Sequence, residues 1–145
     1  MKTKAIGITL LSLSLSFAHA GVSLQIEQQR SPSLAKDIYK IECDEKCALE
    51  MKATVTEKGT SESKVYEEKI KELMSMKKSG ALPKSNTKGR QLYKIEANDG
   101  KNSINLVLAY PLSYKGKEYQ KYLKTVSVIE DLKRSMTLDL TESKK

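Results

Sequence analysis

The sequence predicts an α+β domain: an antiparallel sheet of about six or seven strands with one amphipathic helix packed on one face. Three observations carry this. Apolar residues alternate with period two over Val22–Glu27 and again through residues 38–55. Asp99-Gly100 stands between two further alternating runs, the pattern of a hairpin whose tight turn needs positive φ. Between these regions the apolar spacing changes to that of a helix.

Taken in order, Val22-Ser23-Leu24-Gln25-Ile26-Glu27 reads as a half-buried strand ended by Ser31-Pro32-Ser33. In the next segment Tyr39, Ile41, Cys43, Cys47, Leu49, Met51, Ala53 and Val55 fall on one face. A hairpin turning at Asp44-Glu45-Lys46 sets Cys43 opposite Cys47, Ile41 opposite Leu49 and Tyr39 opposite Met51, with Lys40 facing Glu50 on the wet side. Helix competes here, because Ala48 to Lys52 are strong helix formers. Gly59 to Ser63 reads as a polar connector. From Lys64 to Ser79, Tyr66, Ile70, Leu73 and Met74 form a stripe; Ser63 caps its start, Glu67 and Glu68 occupy the first turns, and Lys77, Lys78 and Gly80 close it. Leu82 to Gly89 is a loop. Leu92–Ala97 and Ile104–Leu108 then pair around Asp99-Gly100, and a two-residue turn places Ile95 opposite Ile104 and Tyr93 opposite Leu106. In the tail, helical spacing conflicts with the β-branched run Thr125–Ile129 and the alternation of Met136, Leu138 and Leu140. The reading adopted is strand through 119–129 and 135–140, turning at 131–134.

Lys2 and Lys4 precede an apolar run from Ala5 to Leu15 and the tripeptide Ala18-His19-Ala20. This is the pattern of a secretory signal peptide over residues 1–20, cleaved after Ala20. Residues 21–145 then form a single small domain, expected to be soluble, in the bacterial periplasm or outside the cell. No later stretch reaches the ~20 apolar residues of a membrane-spanning helix. The single His leaves with the leader, and no Trp is present. Ser-His-Asp and Cys-His catalysis are thereby excluded, no metal set is available, and neither catalytic residues nor a cofactor are expected.

Cys43 and Cys47 are expected to form a structural disulfide across the hairpin. Helix neighbours at i and i+4 keep their Cβ atoms about 5 to 6 Å apart, too far for the bond, and Asp44 and Glu45 oppose a reactive thiolate. The fragments Ser75-Met76-Lys77-Lys78 and Lys78-Ser79-Gly80 match the SxxK and KSG patterns. They overlap at one helix end, and SxxK recurs at Ser33–Lys36 and Ser61–Lys64, so they carry no chemistry.

The mature region holds 24 basic and 18 acidic side chains, and its excess is localised. Between Glu72 and Glu96 there is no acid, while Lys77, Lys78, Lys84, Lys88, Arg90 and Lys94 lie in the interval. These six are the candidate partner-binding residues, set against the plain reading of a solvated loop with helix-end cations. A second, weaker candidate is the interleaved stretch containing Tyr114, Lys115, Lys117, Tyr119 and Lys121, which could stack on and neutralise a polymer. Its plain reading is a strand with one wet and one half-buried face. Only three arginines remain in the mature region, which disfavours nucleic acid as a partner.

These features point to an exported, non-enzymatic binding protein. The first expectation is an inhibitor or immunity-type protein that engages an acidic protein through the basic loop. The second is a binder of anionic cell-envelope material such as peptidoglycan or lipopolysaccharide.

Overall fold

A computed structural model describes residues 21–142; the expected leader, residues 1–20, lies outside them. Strands β1 (Val22–Gln28), β2 (Asp37–Cys43), β3 (Cys47–Lys52), β4 (Thr56–Ser61), β5 (Gln91–Asn98) and β6 (Ser103–Ala109) form one sheet, ordered β4-β3-β2-β1-β5-β6, with every neighbouring pair antiparallel. Helices α1 (Val65–Ser79) and α2 (Gly116–Glu142) cover the face on which the alternating apolar residues fall. The α+β class, the sheet and the helix at 65–79 are as the sequence predicts.

The first hairpin has the expected register. Cys43 faces Cys47, Ile41 faces Leu49, Tyr39 faces Met51 and Lys40 faces Glu50. The disulfide is closed. In α1, Tyr66, Ile70, Leu73, Met74 and Met76 are buried, and Gly80 at φ 76° ends the helix. Its N–H bonds Lys77 O at 3.2 Å and the Ala81 N–H bonds Met76 O at 2.7 Å, the paired bonds of a left-handed helix stop.

Three local expectations are corrected. The tail forms no strand. Residues 116–142 are one helix whose buried side chains Tyr122, Thr125, Ile129, Leu132, Met136 and Leu140 recur every three or four positions, and cover for the apolar sheet outweighs the β-branched preference. Among the described residues the α-helices therefore number two, not one. The supposed connector around Gly59 is part of the edge strand β4, which the β3 backbone pairs despite its polar side chains. The second hairpin turns through four residues, Asp99 to Asn102. Asp99 Oδ1 accepts the N–H groups of Lys101 and Asn102 at 2.9 and 2.7 Å, so Ile95 faces Leu106 and Tyr93 faces Leu108, two positions beyond the predicted partners but on the same face.

The registers also fix which connections leave which end of the sheet. Val22, Cys43, Cys47, Ser61, Asn98 and Ser103 lie at one end, with the turns 44–46, 62–64 and 99–102; this is the disulfide end. The segments 29–36, 53–55 and 110–115 lie at the opposite, or loop, end, and 80–90 runs to it along the outer edge of β6. Helix α2 starts there and crosses the strands: Glu130 meets Tyr93 of β5, Lys133 lies over Tyr39 of β2, Thr137 reaches Met51 of β3, and Asp139 accepts from Tyr66 of α1.

Candidate functional site

The six basic positions singled out in the sequence are distributed over three places. Lys77 and Lys78 lie at the disulfide end, where Lys77 Nζ donates to Ser103 O. With Asp99 and Asn102 they line a shallow concavity of about 330 Å³. Lys84, Lys88 and Arg90 follow the outer edge of β6 toward the loop end. Ser103 and Ala109 are six residues apart on that strand, roughly 20 Å. Lys94 points to the outward face of β5, between Glu27 of β1 and Val107 of β6.

The loop end is tightly built. Ser85 Oγ accepts the Val107 N–H at 3.0 Å, and the Asn86 N–H donates to Val107 O at 2.9 Å, so the basic loop lies along β6 and occupies the outward backbone groups of Val107. Asn86 Oδ1 accepts from the N–H groups of Lys88 and Gly89. Gly89 packs closely: a Cβ there would fall 2.9 Å from Ser113 Oγ and 3.3 Å from Ala109 Cβ, so a larger residue would require the Ser113 side chain to move. Tyr110 then ties three segments together. Its N–H bonds Arg90 O at 3.0 Å, its ring carries the Arg90 guanidinium at 4.6 Å, and its hydroxyl donates to Gln29 O and Arg30 O. Glu118 Oε2 accepts the Lys84 N–H at 2.9 Å; that bond and the nearby Lys121 cation hold its carboxyl below the usual range.

Between Tyr110 and Tyr114 the chain makes a single 3-10 turn, Pro111–Ser113, which holds Leu112 96% exposed. Its base is rigid, because Tyr114 is buried, stacks on Tyr122 at 4.4 Å and accepts the Ala109 N–H at 2.9 Å. Two more apolar side chains project from connections at this end, Leu34 and Val55. Charge divides along the same axis. The four connecting segments of the loop end contain Arg30, Lys36, Lys84, Lys88, Arg90 and Lys115 and no acid. Those of the disulfide end contain Lys46, Lys64 and Lys101 against Asp44, Glu45, Glu62 and Asp99. Arg30 is engaged by Asp37 at 2.8 Å and Lys36 by Glu27 at 3.4 Å, which leaves lysines as the less committed cations.

The chain matches no protein-family model, no curated protein and no solved structure. What the site can do is therefore read from its own residues.

The second candidate stretch straddles the start of α2 instead of forming a strand. Tyr114 is buried and Tyr119 half-buried, with Tyr119 and Tyr122 6.4 Å apart, so these rings serve the core; burial pushes the Tyr122 hydroxyl up to about 12. Lys115 and Lys117 are exposed beside Leu112 in sequence, and Lys121 pairs with Glu118 at 3.5 Å. Sequence reasoning missed Leu112 and Leu34 and placed Val55 on the apolar strand face, whereas residues 53–55 form the turn between β3 and β4 and leave Val55 exposed. The only sequence signal of the two leucines is an apolar residue inside a turn-forming segment, most visible in Pro111-Leu112-Ser113. Among the described residues, no group of three or more His, Cys, Asp or Glu side chains could hold a metal ion, and no helix is long and apolar enough to cross a membrane.

Proposed function

We propose that this chain is an exported, non-enzymatic binding protein that meets an anionic partner with the loop end of its sheet. One observation carries the reading: six cations and no acid in the connections of that end, against three cations and four acids at the other. Export rests on the leader pattern of residues 1–20 and agrees with the closed Cys43–Cys47 bridge. Between the two expected partner classes, the composition of the surface supports anionic envelope material over an acidic protein. Protein interfaces favour Arg and Tyr and deplete Lys, whereas here Arg30 and Arg90 are already engaged and lysines carry the remaining charge.

The test is sedimentation of the exported protein with purified envelope fractions at two salt concentrations. The variant Lys84→Glu/Lys88→Glu/Arg90→Glu is expected to lose salt-sensitive retention, while Lys77→Glu/Lys78→Glu, at the disulfide end, keeps it. Equal retention of the triple variant and the parent would overturn the reading. A salt-sensitive protein partner that persists after lipid and polymer are removed would restore the inhibitor or immunity-type alternative.

A further inference from the structure

We infer that the partner is the surface of an anionic phospholipid bilayer, on which the domain stands with Leu112 lowered between the headgroups. This rests on the loop end being the binding surface and adds which anion it meets.

The apolar residues decide the class of partner. Among the described residues five large hydrophobic side chains are exposed; three lie in connections, and all three connections are at the loop end: Leu34 between β1 and β2, Val55 between β3 and β4, and Leu112 between β6 and α2. The described connections of the disulfide end hold none. These connections belong to strands spread over a sheet of six, whose five inter-strand spacings amount to about 24 Å. Protein partners concentrate their apolar anchors near the centre of the interface, in well-packed pockets. Three separate apolar tips across that width match a broad, yielding, flat target.

The charges agree. Lys88 precedes the glycine that abuts Ser113, and Lys115 and Lys117 follow Leu112 by three and five residues, so exposed lysines flank the turn that carries the most exposed leucine. Lysine is a compact, mobile point charge that needs no fixed bidentate acceptor, which suits a diffuse array of headgroup phosphates. Apolar tips rimmed by lysine are the composition of surfaces that lie in a bilayer interface. The turn carrying Leu112 is fixed from both sides by Tyr110 and Tyr114, so no ordering of the loop has to accompany contact.

The chain contains no Trp, so a Trp introduced at the tip reports on that position alone. Leu112→Trp is mixed with vesicles of phosphatidylglycerol and phosphatidylethanolamine and, separately, of phosphatidylcholine. Its emission is expected to move to shorter wavelength and to be quenched by acyl-brominated lipid with the anionic vesicles only, while Lys101→Trp, at the disulfide end, stays unchanged. In co-sedimentation, Leu112→Ser is expected to weaken partitioning about ten-fold. Lys88→Gln and Lys115→Gln should each weaken it about five-fold. No emission change for Leu112→Trp with anionic vesicles, or the same change with phosphatidylcholine, overturns the inference. If vesicles fail while retention on envelope fractions remains sensitive to the Lys84, Lys88 and Arg90 reversal, the loop end keeps its role and lipid is excluded. If that reversal changes neither assay, both readings fall.

Discussion

Lys133 lies where α2 crosses the inner face of the sheet, its side chain 14% exposed, with its ammonium 2.8 Å from Glu130 Oε2 and 3.2 Å from the Tyr93 hydroxyl. The rings of Tyr39 and Tyr93 flank it at 5.6 and 5.3 Å. A cation this enclosed requires its counter-charge, since an unpaired charge loses more hydration than neighbouring rings return. Tyr93 also donates to Glu130 Oε1 at 2.8 Å, so the carboxylate has two donors, Tyr93 from the sheet and Lys133 from its own helix. Partial burial pushes the Glu130 carboxyl up, but the bonds from Lys133 and Tyr93 outweigh it and the net shift is downward. A lowered carboxyl pKa contributes stability that is present above the unfolded value, about 4.3, and is lost as pH falls through the folded one. Glu130→Gln should therefore lower stability at pH 7 by about 1 kcal/mol, a small effect because the Glu130 side chain is 42% exposed. It should also flatten the decline of the urea midpoint between about pH 5 and pH 3 relative to the parent. An unchanged acid limb would show that Glu130 does not carry this linkage.

Among the elements, α1 illustrates how a stop is written. Gly80 takes φ 76°, and nothing lies within 4 Å of where a Cβ would sit. Gly80→Ala should then cost about 1 kcal/mol from backbone conformation alone, read as a shift in denaturant midpoint without a change of slope. This stop, the stripe it ends and the Cys43–Cys47 hairpin were legible because each is a local pattern confirmed by a second local pattern, such as Lys40 facing Glu50 behind Tyr39 and Met51. β4 was not legible. Its inward positions are Glu57, Gly59 and Ser61, which offer no alternation, and only the presence of β3 makes it a strand. The tail failed for the opposite reason: Thr125, Val126, Val128 and Ile129 carry a strand preference that the need to cover the sheet overrides. At the candidate site, the acid-free interval from 73 to 95 could be read along the chain. Its division between the two ends of the sheet could not, because that depends on where β6 starts and finishes. Leu112 was hidden likewise, since a leucine near strands is read as core.

At the level of the whole molecule, the buried side chains form one continuous cluster in which α2 supplies Tyr122, Val128, Ile129, Leu132, Met136 and Leu140. Removing that helix would bare the inner ends of β2, β3 and β5 to water. A chain ending at Lys115 is therefore expected to lose its tyrosine near-ultraviolet dichroism and amide dispersion together; native-like spectra from it would mean that the sheet and α1 suffice. The same arrangement gives the molecule two unlike ends, one nearly balanced in charge and one basic with apolar tips, joined by rigid strands. The loop running between those ends has one more effect. By occupying Val107 N–H and O while Lys77 takes Ser103 O, it obstructs the outer rim of β6. A fibril that grows by adding sheet to sheet needs every subunit to offer two open rims. With that rim obstructed, edge-to-edge misassembly of this protein would be hindered beyond a pair, a built-in brake on aggregation.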